Sequence, residues 1–187
     1  MDDQYVTIIM DPDPILRIKA EEVVLPLSQD DRITLEKMLK YIKDSKDEAL
    51  AEAHDLKPGI GLAAPQIGIS KRLIVLDLTE GSDEEKITYQ FALVNPKIIS
   101  HSEKESYLES GEGCLSVEKE YPGYAYRAAF VTVTGYDLLT DKNIRIRAGG
   151  LLAIALQHEI DHLNGILYYD RINKNDPFLI KPQSIKI

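Results

Sequence analysis

One stretch constrains this chain more than any other: Leu151 to Leu163 is apolar on nearly every face. A helix of that kind cannot lie on a surface, so it must sit at the centre with the rest of the chain around it. Gly149-Gly150 precede it and Asn164-Gly165 follow. Its length and the glycine past its end predict a helix rather than a strand. The chain has 187 residues, which suits one domain over 1–187. At that length a core can be buried without disulfide help.

The flanking segments predict what covers the helix. Asp13 with Pro14 reads as the cap and first position of a helix over Ile15 to Val24, closed by Pro26. Ser28, with Asp31 three residues on, resembles a capping box opening a longer helix. In that helix Ile33, Met38, Leu39 and Ile42 fall on one face, and the charges from Asp44 to Glu52 form its solvated end. Strands are predicted over Leu73–Leu78, Tyr89–Val94, Ile98–Ile99 and Phe130–Tyr136, and around Ile144 and Ile146. Gly81 to Lys86 reads as a polar loop and Thr140-Asp141-Lys142-Asn143 as a hairpin turn. Ser184 to Ile187 reads as an edge strand. Helices, then mostly strands, then one buried helix argue for an α+β fold of mostly antiparallel sheet around the central helix, with N-terminal helices.

The buried helix carries His158-Glu159-Ile160-Asp161-His162. Four residues advance a helix by one turn plus roughly 40°, so the two imidazoles leave from one face and can share an ion. Glu159 lies beside such an ion rather than on it, where a carboxylate serves as acid–base toward water. Two core histidines satisfied by carbonyls are the bland alternative, and the glutamate between them counts against it. A tetrahedral site with one open position needs a third protein ligand. No third histidine follows, and no pattern places Asp170 or Asp176. Upstream stands Glu112-Gly113-Cys114-Leu115-Ser116, with the only thiol of the chain. Thiolate suits zinc, iron, nickel or cobalt; a buried structural cysteine fits Cys114 equally well when it is taken alone. The segment Gly59-Ile60-Gly61-Leu62-Ala63-Ala64-Pro65-Gln66 offers backbone that a substrate can approach closely and, in Gln66, an amide donor for an oxyanion. By itself it also reads as a loop joining helix to strand.

Composition removes several function classes. Asp and Glu number 31 against 22 Lys and Arg, a formal charge of −9. Such a surface attracts neither nucleic acid nor anionic lipid. A single cysteine allows no internal disulfide and suits a reducing compartment. The acidic opening Met1-Asp2-Asp3-Gln4-Tyr5 lacks the basic and apolar regions of a signal peptide. No run approaches the ~18 apolar residues of a membrane span.

Together the three segments resemble the signature motifs of peptide deformylases: a G-x-G-L-A-A-x-Q loop at Gly59–Gln66, an E-G-C-L-S segment at Glu112–Ser116 and a Q-H-E-x-D-H helix at Gln157–His162. The resemblance extends to Asp13-Pro14-Ile15-Leu16-Arg17, Leu93-Val94-Asn95-Pro96 and Asn164-Gly165, and so covers nearly the whole chain. Length, the loop at Gly81–Lys86, extra residues before Arg127 and a strand-like tail resemble the longer subtype of Gram-positive bacteria.

The resemblance implies removal of the formyl group from N-formyl-methionyl nascent chains, with release of formate. It implies a monomer in the bacterial cytoplasm working at the ribosome exit, without direct contact with nucleic acid or membrane. Cys114, His158 and His162 would be metal ligands, with Fe2+ expected and Ni2+, Co2+ or Zn2+ able to replace it. Glu159 would act as general base and acid, and Gln66 with the Leu115 N–H would hold the oxyanion. Gly59, Ile60, Gly61, Glu112, Gly113 and Ile154 would surround the substrate, and Asp161 would pair with Arg127 behind the ligands. Three rivals remain: a zincin endopeptidase, a binding protein without activity, and a structural α+β module. The first gives no role to Cys114 or to the Gly59–Gln66 loop.

Overall fold

A computed structural model describes residues 4–82 and 85–187. The acidic opening Met1-Asp2-Asp3 and the centre of the polar loop, Asp83-Glu84, lie outside the described residues. In chain order the elements are α1 (Gln29–Asp44), α2 (Glu48–His54), β1 (Gly61–Ala63), β2 (Leu73–Gly81), β3 (Lys86–His101), β4 (Glu105–Tyr107), β5 (Arg127–Ala128), β6 (Phe130–Asp137), β7 (Lys142–Gly149), α3 (Gly150–His162) and β8 (Ile185–Lys186). The fold is α+β. One sheet runs β1-β2-β3-β6-β7 and is antiparallel throughout. A smaller sheet runs β5-β4-β8, with β4 and β8 parallel.

The large sheet is covered on both faces, which explains why β2 shows no polar alternation. Leu73, Ile74, Val75 and Leu76 are all fully buried. Ile74, Leu76 and Leu78 turn toward α3, joining Leu152, Ala153, Leu156 and Ile160. Leu73 and Val75 turn the other way, toward Leu35, Met38, Leu39 and Ile42 of α1. Successive strand side chains point to opposite faces, so the stretch Leu73–Leu76 between two helices is apolar at consecutive positions.

Helix α3 follows its prediction closely. Gly165 ends it at φ 73°, and a Cβ there would lie 2.5 Å from the Arg17 carbonyl oxygen. The alternation in β6 is also as expected, with Val131 and Val133 buried beneath α3. The C-terminal tail forms the edge strand β8 on β4.

Other expectations need correction. Ile15 to Val24 is not a helix. Asp13 caps only a 3-10 turn, Pro14–Arg17, and Ile18 is extended. The backbone that follows finds tertiary partners instead: Ala20 N–H donates to Leu163, Glu21 N–H to Ser70, and Val23 N–H to the Asn95 side chain. In α1 the buried face is Asp31, Leu35, Met38, Leu39, Tyr41 and Ile42. Ile33 lies off that stripe and is 40% exposed. Ser28 accepts from the Asp31 N–H at 3.2 Å, but the Asp31 carboxylate accepts from the Ser28 hydroxyl at 2.7 Å and makes no return bond to the backbone, so the box is half formed. Residues 44–52 do not continue α1; Asp47 caps the separate helix α2. The two strands expected around Pro96 are one strand, β3, with register shifts between Val94 and Lys97 and between Ile98 and Ser100. An irregularity of this kind is where a sheet tolerates proline. The hairpin turn is 138–141 and so ends two residues into the predicted tetrapeptide: Asp141 takes φ 54° and Lys142 already pairs with Asp137.

Candidate active site

Helix α3 brings His158 and His162 onto one face, as their spacing requires. Their Nε2 atoms stand 3.3 Å apart. The Cys114 sulfur reaches the same point from the loop after β4, 3.3 Å from His162 Nε2. One donor atom from each residue lies within 4.8 Å of the others. A tetrahedral ion with metal–nitrogen bonds of about 2.05 Å and a metal–sulfur bond of about 2.3 Å has ligand–ligand edges of about 3.3 to 3.6 Å. The two contacts of His162, 3.3 Å each, come close to those edges, and the donor set suits a divalent transition metal in its chemistry.

Electrostatics support the same convergence. Burial alone would push the His158 imidazole down, but hydrogen bonds to Cys114 and Glu112 push it up to about 10. Burial and the neighbouring His158 push His162 well down. Two imidazoles this close cannot both carry a proton charge, and a metal cation between them would take the place of that proton. The His158 Nδ1 faces the Glu112 carboxylate at 2.8 Å. In the neutral imidazole that contact would keep the proton on Nδ1 and leave the Nε2 lone pair for an ion.

Glu159 projects beside this cluster and is 4% exposed. Its Oε2 is buried without a hydrogen-bond partner. Burial raises its pKa to about 7, against the lowering influence of His158 and Arg127. The carboxylate presses on Gly61: a Cβ at that position would sit 2.4 Å from Glu159 Oε1. At Gly59 a Cβ would meet the Leu115 side chain at 3.0 Å. These two glycines admit side chains of the protein itself, whereas a Cβ on Gly113 would meet nothing within 4 Å.

Gln66 is 2% exposed in the 3-10 turn after β1. Its Oε1 accepts from Ala63 N–H at 2.9 Å, which aims Nε2 at Ser116 Oγ (3.2 Å) and Cys114 Sγ (3.5 Å). Cys114 begins a tight turn closed by the Val117 N–H to the Cys114 carbonyl, with Leu115 inside it. Gln157 explains its own place beside the first histidine: it bonds both backbone groups of Ala128 and so ties α3 to β5.

Above the cluster opens a cavity of about 480 Å³. Gly59, Ile60, Gly61, Gln66, Glu112, Gly113, Cys114, Leu115, Ile154, His158 and Glu159 all line it. Leu108, Val117, Leu151 and Ala155 complete an apolar wall that sequence reasoning missed. Leu151, Ile154, Ala155 and His158 share one helical face, so Leu151 and Ala155 were within reach of the spacing rule. Nothing local marks Leu108 or Val117.

Asp161 and Arg127 stay behind the ligands, outside the cavity. Arg127 Nη1 donates to Asp161 at 2.7 Å. Its Nε and Nη2 donate to Glu112 at 2.6 and 2.9 Å. Sequence reasoning missed a further partner, Arg171, whose Nε and Nη2 hold Asp161 at 2.5 and 2.6 Å.

Fold and site together point to a class, the metal-dependent hydrolases. Residues 5–178 match the family model described as polypeptide deformylase. The chain belongs to that family, whose members are hydrolases acting on N-formylmethionine peptides. It is 52% identical over 171 residues to peptide deformylase 2 of Bacillus anthracis, covering 91% of each chain. To peptide deformylase 2 of Geobacillus stearothermophilus it is 51% identical over 180 residues, covering 96% of each. These Bacillus-type relatives agree with the Gram-positive subtype. Among solved structures, a peptide deformylase from Legionella pneumophila superposes with a TM-score of 0.71 at 37% identity, over 91% of this chain and 88% of that one. The enzyme from Thermotoga maritima superposes with a TM-score of 0.68 at 30% identity, over 90% and 98%. No helix among the described residues is long and apolar enough to cross a membrane.

Proposed function

We propose that this chain, acting as one catalytic domain, hydrolyses the formamide bond of N-formyl-methionyl nascent chains and releases formate and a free amino terminus. The observation that carries this reading is the unpartnered Glu159 carboxylate, buried beside a converging Cys114–His158–His162 set on the floor of an apolar-walled cavity. Those three residues would hold one divalent ion, Fe2+ natively, with Ni2+, Co2+ or Zn2+ acceptable to the same thiolate and imidazoles. When bound, the ion supplies Lewis acidity and makes water acidic near pH ~7.

The protein's own groups do the rest. Glu159 takes the proton of the attacking water; a carboxylate held at about 7 is matched to that work at neutral pH. It then delivers the proton to the departing amine nitrogen. The Gln66 amide and the Leu115 N–H donate to the oxygen on which charge develops. Glu112 orients His158. Ile60 and Gly113 offer backbone groups to the peptide, and the methionine side chain lies along Leu151, Ile154 and Ala155. An unbranched thioether suits such a wall. We read the setting as the bacterial cytoplasm, with a monomer meeting chains as they leave the ribosome. The family's substrate class supports that setting.

The test is formate release from a formyl-Met tripeptide by anaerobically purified protein, with acetyl-Met peptide and casein as controls. Release from the formyl peptide alone is expected. No release from metal-loaded protein overturns the reading in favour of a binding protein, and casein digestion in favour of an endopeptidase.

A further inference from the structure

We propose that Arg171 is a positioning residue for His158, acting through Asp161, Arg127 and Glu112. The inference rests on the reading of Cys114, His158 and His162 as metal ligands.

Arg127 has a fully buried side chain and lies between two carboxylates, Glu112 and Asp161, whose side chains are 4% and 8% exposed. One guanidinium cannot neutralise two carboxylates, and an uncompensated charge in a dry site opposes folding. Arg171 supplies the second positive charge. With it, Glu112, Asp161, Arg127 and Arg171 sum to zero formal charge.

The hydrogen bonds divide the work in the same way. Two of the three contacts on Asp161 come from the Arg171 fork, at 2.5 Å to Oδ2 and 2.6 Å to Oδ1. Arg127 therefore spends only Nη1 on Asp161, at 2.7 Å, and turns Nε and Nη2 onto Glu112. Glu112 Oε2 in turn accepts from His158 Nδ1 at 2.8 Å. Without Arg171, one buried cation must serve both carboxylates, and Asp161 draws it away from Glu112. The carboxylate that holds the His158 ring then loses its own bidentate support. Glu112, the direct partner of His158, is the kind of group whose loss typically costs ~10–100-fold in metal affinity, and Arg171, acting through it, is expected at the lower end of that range.

Arg171 reaches this chain of contacts from outside, with a side chain 35% exposed. The 3-10 turn that carries it, Tyr168–Arg171, is anchored by other groups. Asp170 accepts from Arg17 at 2.5 Å and from Leu167 N–H at 2.9 Å, and Tyr169 donates to Asp11 at 2.9 Å. Removing the Arg171 side chain leaves those anchors in place.

The experiment uses full-length protein loaded with Zn2+ and mixed with excess chromophoric chelator, reading the rate of zinc release. Melting of the metal-free protein is measured in parallel. Arg171→Ala should release zinc about ten times faster with the metal-free melting curve nearly unchanged, and Arg171→Lys should fall between. In an Asp161→Asn background, adding Arg171→Ala should change the rate little, because the arginine acts through that carboxylate. An unchanged release rate in Arg171→Ala overturns the proposal. So does equal acceleration in both Asp161 backgrounds, or a lower metal-free melting point that fully accounts for the loss. Wild-type protein that holds no zinc is a separate failure, that of the ligand reading itself.

Discussion

The two faces of the large sheet are built on opposite terms. On the α1 side the contact is almost entirely aliphatic: Leu35, Met38, Leu39 and Ile42 on Leu62, Leu73, Val75 and Val94. On the α3 side the upper half of the helix packs the same way, but its last turns bury Glu159, Asp161 and His162 together with Arg127. The first face stabilises the sheet that holds the second in place. The second includes groups that oppose folding, since a carboxylate without a partner and a cation between two anions are both costly out of water. A site of this kind needs a rigid support that does no chemistry.

Four measurements would break or sharpen that contrast. The largest effect is expected from Glu159→Ala: about a thousandfold loss of formate release, within the ~10²–10⁴ of a lost general base, while bound metal and melting temperature hold. A parallel fall in metal content would make Glu159 a ligand instead. Next, Arg127→Ala should destabilise by roughly 3–5 kcal/mol, because it leaves Glu112 and Asp161 buried without their shared cation. Urea unfolding would show it, and a loss under 1 kcal/mol would mean that water enters the site. Across the sheet, Met38→Ala should cost about 3 kcal/mol as a cavity, yet leave kcat/KM for the formyl peptide unchanged at temperatures where the variant is folded. A changed kcat/KM would show that the two faces are coupled.

The smallest effect is an acid limb. Burial would raise the Glu112 carboxyl, but hydrogen bonds from His158 and Arg127 outweigh it and hold the group at about 2, below its ordinary 4.5. A depressed carboxylate contributes stability that is complete above its unfolded value and is lost as pH falls toward the folded one. Stability should therefore decline between pH 4.5 and 2, and Glu112→Gln should flatten that decline. An identical pH profile in the variant would remove Glu112 as its source.

Legibility followed the range of each interaction. The α3 helix, the alternation in β6 and the histidine spacing depend on neighbours within a turn or a pleat, and they read correctly. Ile15–Val24 failed because its backbone groups go to Ser70, Asn95 and Leu163, segments no local rule brings near. Ile33 failed because a stripe set by Leu35, Met38 and Ile42 leaves it two positions off the sheet. Arg171 was missed because its partner, Asp161, lies on the far side of the Gly165 turn.

By itself, the sequence determined that a helix must be buried, that it carries two imidazoles and a carboxylate on adjoining faces, and which family the motifs resemble. Each of these follows from helical period and residue chemistry within a few positions. Only the tertiary structure decided that Cys114 meets the two histidines, that Gly61 makes room for Glu159 and that Leu108 and Val117 wall the cavity. It also decided that a second arginine, Arg171, pairs with the buried Asp161. Those outcomes depend on which distant segments close over α3, and Coulomb and packing energies act on distance in space rather than along the chain.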